Sequence, residues 1–372
     1  MSVLVSHRLA ALGVALVALG GEVMVNKIKI LFLVIIIFVI IIQVLFWYSN
    51  KRQILYILWY RQQYGEICSV TFSPDNRFCF VGGTIWDKKQ NGKRSAIYVY
   101  QSNNGILKFI LKGELGSYIN HLSISPNGKF LASSEVLWRL YGTCGTAIYL
   151  FKLWQLSKNG IKKLLEIYNE DNPVFSPDGK FLATCSGLDI TLWQIKKNSL
   201  IKIGRLTGHE LPVTSIAFSS DSKLLASGDV SGTIKLWRLK DRSLIFTLKD
   251  NNDYISSLTF SPNGIFMITG YKNGFIKFWY IEDNSLKLIQ KLKKHKDKVY
   301  VLFSPNGKFL LSCSKDNIII WAIKDAKLHF MHSYNFINNC SIIAFSSNNQ
   351  YLAIGTNKGE IYLFCFYEKN SQ

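Results

Sequence analysis

Between residues 208 and 248 four apolar runs follow one another, at 213–218, 224–228, 233–237 and 244–248. Each is of strand length, rich in β-branched and aromatic residues, and bounded by Ser, Asp, Gly or Lys. The pattern predicts a four-stranded antiparallel sheet. Such a sheet is apolar on both faces, so it needs a similar sheet packed against each. The unit recurs. An apolar residue, Ser, Pro or Ser, then Asp or Asn marks the turn after the first run. Seven copies of that turn begin at Phe72, Ile124, Phe175, Phe218, Phe260, Phe303 and Phe345. Pro fixes φ and Gly accepts positive φ, which is the chemistry of a tight bend. From Phe175 onward the markers lie 42 or 43 residues apart; the two earlier gaps are eight to ten residues longer.

These residues, with Gly208-His209 and third-run endings such as Ile234-Lys235-Leu236-Trp237, resemble the WD-repeat β-propeller family over roughly 53–367. Trp193, Trp279 and Trp321 end other third runs. The dipeptide Trp-Asp closes none of them, and Gly-His occurs once. The resemblance implies an all-β fold, a seven-bladed β-propeller of four-stranded antiparallel blades. It also implies a His–Ser/Thr–Asp–Trp hydrogen-bond set inside a blade. His295, Ser312, Asp316 and Trp321 supply that set in the sixth copy. The fourth has His209, but Ser231 stands at the Asp position, as Asn273 does in the fifth copy and Lys358 in the seventh. The last copy ends after three runs, so residues 53–59 (QILYILW) are expected to complete it and close the ring.

Residues 30–48 carry one polar member, Gln43, in nineteen. As a helix at 1.5 Å per residue they extend about 28 Å, close to a hydrocarbon core. Lys27 and Lys29 flank one end, and Trp47, Tyr48, Lys51 and Arg52 the other, as interface anchors do. The expectation is one transmembrane α-helix at 30–48, a linker at 49–52, the propeller at 53–369 and a tail at 370–372. Residues 1–29 are a leader with three readings: a signal-like segment, half of a membrane hairpin, or an untranslated stretch before a start at Met24. The flanking bases nearly balance, with a slight lean to a cytosolic propeller.

The seven cysteines are odd in number, lie mostly in expected strands and form no Cys-x-x-Cys. They read as small buried hydrophobes in a reducing compartment. The formal charge of +20 is spread over many turns. Five of the seven turns carry a base just past the bend: Arg77, Lys129, Lys180, Lys223 and Lys308. That surface suits solvated turns or an anionic leaflet; nucleic acid is the weaker alternative.

The residues that lengthen the first two copies fall between runs two and three, at 84–95 (TIWDKKQNGKRS) and 135–146 (EVLWRLYGTCGT). Read as loops, they offer Trp86, Arg94, Trp138, Arg139 and Tyr141 as partner-binding residues, since aromatics beside Arg make hot spots. No metalloprotease, hydrolase, phosphate-loop or calcium-loop motif occurs. The reading is therefore a non-enzymatic, membrane-anchored scaffold for other proteins, without cofactor or metal. The alternative uses the central channel for a ligand or a reaction, with Asn120 and His121 as candidates. A convergent acid–base pair at the channel mouth would favour it.

Overall fold

Each of the seven turns, Ser, then Pro or Ser, then Asx, is built the same way. Ser219 donates its hydroxyl to Asp221 Oδ1 at 2.6 Å and accepts the N–H of Leu224, first residue of the next strand, at 2.9 Å. The equivalent pairs are Ser73–Asp75, Ser125–Asn127, Ser176–Asp178, Ser261–Asn263, Ser304–Asn306 and Ser346–Asn348, at 2.6 to 2.8 Å. The short polar side chains satisfy the donors that a tight bend would otherwise leave unpaired. That is why Ser and Asx recur together.

A computed structural model describes residues 55–366, except 142–143, 158–159, 198, 251–252, 284, 316 and 336–338. Its strands form seven four-stranded antiparallel sheets, with strands one to four of each numbered from the inside outward. Blade four is typical: Val213–Phe218, Leu224–Asp229, Thr233–Arg238 and Ser243–Lys249. The first strand of every blade touches the first strand of the next, and Cys340–Phe345 of blade seven touches Tyr64–Phe72 of blade one, so the ring closes. The chain is thus a seven-bladed propeller. The anchor expected at 30–48 and the leader lie outside the described residues. Among the described residues, no helix is long and apolar enough to cross a membrane.

The fourth strand of blade seven comes from the start of the propeller: Leu55–Gln62 pairs beside Glu360–Phe366. Trp59 turns inward against Tyr100 of blade one, with ring centroids 5.5 Å apart, and donates Nε1–H to the Ser102 carbonyl at 2.7 Å. Blades are also stitched near the axis. Thr214 donates to the Ile255 carbonyl at 2.6 Å and Ser256 to that of Val299 at 2.7 Å. Second-strand glycines permit this approach. A Cβ on Gly228 would fall 2.7 Å from Ile255 Cγ2, and one on Gly355 2.5 Å from Ile67 Cγ2.

Two expectations need correction. The lengthened segments of blades one and two are strand, not loop. Phe78–Asp87 pairs with Gly92–Gln101, and Phe130–Tyr141 with Cys144–Ser157. The alternation Thr84, Trp86 against Lys93, Ser95 simply continues the ladder past the blade body. Nor are all the cysteines free. Cys313, ending the second strand of blade six, is bonded to Cys340, opening blade seven. Neighbouring blades bring the two together from 27 residues apart. Cys68, Cys79, Cys185 and Cys365 are free.

Candidate functional site

The strand-two-to-three hairpins and the Ser-Pro-Asx turns lie at opposite ends of every blade, because successive strands run antiparallel. The two long hairpins are therefore arms on one end of the ring. In the first arm, Trp86 is 40 % exposed and sits opposite Lys93. Arg94 is held by the arm itself. Its Nε lies 3.1 Å from Asp87 Oδ2, and it donates to the Gly113 carbonyl at 3.0 Å and to Gln90 at 3.1 Å. Asp87 meanwhile accepts the Lys89 and Gln90 N–H groups of the turn. In the second arm, Trp138, Arg139 and Tyr141 pair in register with Ala147, Thr146 and Cys144.

A buried charge cluster fixes the root of the second arm. Lys152 Nζ lies 2.8 Å from Glu135 and 3.2 Å from Glu114, with Lys152 and Glu135 almost wholly buried. Ser95 and Ser117 donate to Glu135 Oε2 at 2.8 and 3.3 Å, and the Glu114 N–H donates at 3.1 Å. The carboxylate thus gathers donors from strands of blades one and two, and its charge is compensated where water is excluded.

Beside the arms lies a cavity of about 840 Å³ at the mouth of the channel. First strands and the residues leading into them supply most of its wall: Glu66, Tyr118, Asp171, Tyr254, Lys298 and Ser341. Thr84 and Lys93 of one arm and Val136 and Tyr149 of the other line it too. Asn120 and His121 converge on Asp171: Asn120 donates to Oδ2 at 2.9 Å, and His121 Nδ1 lies 3.2 Å from Oδ1. Ser134 donates to the same Oδ1 at 2.5 Å. Burial alone would raise the Asp171 pKa, but His121, Ser134 and the Asn172 N–H hold it below the usual carboxylate range. Burial raises the phenols of Tyr118, Tyr149 and Tyr254, and the Asp171 charge adds to it. These rings therefore stay neutral. Sequence reasoning found Asn120 and His121 but missed Glu66, Asp171, Tyr254 and Lys298. The available signal was a polar or aromatic residue at the entry to successive first strands.

The hydrogen-bond sets inside the blades vary. In blade four, Trp237 donates Nε1–H to Ser227 at 2.8 Å, Ser227 meets His209 Nε2 at 2.7 Å, and His209 Nδ1 meets Asp229 at 2.8 Å. Asp229, two residues before Ser231, supplies the carboxylate, and Ser231 donates to it at 2.6 Å. In blade six, His295 Nε2 meets Ser312 at 2.8 Å and Trp321 donates to Ser312 at 2.9 Å; Asp316 lies outside the described residues. In blade three Glu170 takes the histidine's place, accepting from Thr184 and Thr191 at 2.5 and 2.8 Å while Trp193 donates to Thr184 at 2.8 Å. Blade five uses Asp250, which accepts from Tyr271 at 2.6 Å and pairs with Lys277. At the turn end, Arg77, Lys180 and Lys223 stand 2.6, 3.5 and 3.4 Å from the carboxylates of their own turns, which offsets part of the basic charge there.

The family description "WD domain, G-beta repeat" matches residues 200–238, 242–280 and 286–321. The chain therefore carries WD40 repeats, and the structure extends the architecture to seven blades. Similar curated proteins include the transcription factor unc-37 of Caenorhabditis elegans, 25 % identical over 69 % of this chain and 40 % of its own length. The small ribosomal subunit protein RACK1y of Oryza sativa subsp. japonica is 24 % identical over 47 % of this chain and 48 % of its own. Human transducin beta-like protein 2 is 30 % identical over 45 % of this chain and 37 % of its own. In each case less than half of the relative's length is covered.

Proposed function

We propose that this chain is a membrane-anchored WD-repeat scaffold that captures another protein at the end bearing the two hairpin arms. One observation carries the reading: among the described residues, only blades one and two extend their second and third strands into arms, and both arms border the channel mouth. A rigid strand pair that presents Trp86 and the Trp138 position is suited to a stable partner surface. The anchor reading rests on residues 30–48 of the sequence and their flanking bases and aromatics. The first described strand, Leu55–Gln62, enters the ring at the turn end of blade seven. Contact of turn-end bases such as Lys129 with anionic lipid is a secondary part of the proposal.

Crosslinking and affinity purification from native membranes, with the anchor kept, tests it. Trp86→Ala with Trp138→Ala is expected to abolish partner capture and leave the circular dichroism unchanged. Undiminished capture sinks the arm assignment. Equal binding of the protein to neutral and anionic vesicles at low salt sinks the lipid contact. A second reading, a ligand held in the channel, is favoured by the His121–Asp171 pair at its mouth.

A further inference from the structure

The channel-mouth cavity has two dissimilar halves. On the side of blades five and six, the Lys298 ammonium lies over the Tyr254 and Tyr300 rings, 5.7 and 4.7 Å from their centroids. A phenol face attracts a cation through its quadrupole, more strongly where water is scarce. On the side of blades two and three, Tyr118 and Tyr149 line the same cavity with Asp171. No described residue places a cation over either of those rings. Asp171 is fixed in position by Asn120, His121 and Ser134, and Glu66 contributes a second carboxylate to the wall. This wall thus combines two phenol rings with a fixed carboxylate, and among the described residues no cation lies over either ring.

We propose that this half receives the ammonium or guanidinium of a Lys or Arg side chain from a protein partner, a reading that rests on the docking function above. Charge favours it. The chain carries a formal +20, yet the cavity sets Glu66 and Asp171 against Lys93 and Lys298. The mouth is therefore among the less repulsive places on the molecule for an incoming cation. Size favours a peptide-borne group over a free amine. A lone alkylammonium would leave most of a cavity of about 840 Å³ to water, whereas Thr84, Val136 and Tyr149 offer the arms as walls for flanking peptide.

The test titrates the full chain, in detergent, with peptide pools randomised except for a central Lys, Arg or Glu, and with butylammonium chloride. The Lys and Arg pools are expected to bind about tenfold more tightly than the Glu pool or butylammonium. Tyr149→Leu is expected to remove that preference, and Tyr149→Phe, which keeps the ring face, to retain it. Equal binding of the Lys and Glu pools overturns the proposal, as does a preference that survives Tyr149→Leu. Butylammonium binding as tightly as the Lys pool assigns the site to a small amine and overturns the partner side chain. Partner capture that persists alongside a flat titration removes the channel site alone. Loss of capture in the tryptophan double variant with an intact titration locates the rest of the interface on the arms.

Discussion

Ser341 donates its hydroxyl to the carbonyl of Ile67 at 2.5 Å, joining residues 274 apart in the chain. The bond is the same one that Thr214 makes to Ile255 and Ser256 to Val299 between blades consecutive in sequence. The ring's seam is thus built like its other joints, and the first propeller strand completes the last blade.

Trp59 holds that seam from the outside, buried against Tyr100 and hydrogen-bonded to Ser102. Trp59→Ala is expected to cost about 3–5 kcal/mol, as large-to-small changes in cores do. The urea midpoint of the full chain measures it. An unchanged midpoint would show that the seam adds nothing to stability.

Lys152→Met leaves Glu135 as a buried carboxylate without its ammonium. Breaking a buried pair from one side costs about 3–5 kcal/mol, whereas replacing both partners is close to neutral. Lys152→Met with Glu135→Gln should therefore recover much of the loss. Thermal unfolding of the single and double variants decides it; equal loss in both would mean that the pair's charge is not the issue.

His209 is expected to make stability fall with acid. Burial comes first in lowering its pKa below the ordinary 6.5, with Asp229 opposing. The unfolded chain takes up the proton before the folded one, so the contribution is complete above 6.5 and is lost as pH falls through the folded value. Denaturation midpoints should therefore drop as pH falls below 6.5. His209→Gln should flatten that drop; an equally steep fall in the variant would place the acid sensitivity elsewhere.

Reduction should expose two additional thiols in the unfolded chain, from Cys313 and Cys340. Counts with a thiol reagent in denaturant, before and after a reductant, check this. In the chain-entropy account, a loop closed over 27 residues is worth about 3–4 kcal/mol. Cys313→Ala with Cys340→Ala should lower the midpoint accordingly. Identical thiol counts before and after reduction would deny the bond.

Much of the architecture was legible because it is local. Ser and Asx at a fixed place in every copy, with Pro between them in five and Gly after them in four, set a bend whatever surrounds it, and seven bends with apolar runs between them count the blades. The closing strand was legible as a missing fourth run, although it begins at Leu55 and reaches Gln62. The long segments of blades one and two were misjudged as loops because Lys, Gly and Arg obscure the alternation. Strand pairing needs only a partner in register, and Thr84 to Asp87 finds one in Gly92 to Ser95.

By itself, then, the sequence determined the repeat, its turn chemistry, its blade number and an apolar stretch at 30–48. The tertiary structure alone decided which residues meet across blades: Cys313 with Cys340, Lys152 with Glu135 and Glu114, and His121 with Asp171, 50 positions away. A repeat fixes each sheet through neighbours in sequence, but the channel mouth and the buried charges are made where blades converge. The distances that matter there are set by how sheets pack, and spacing along the chain does not encode them.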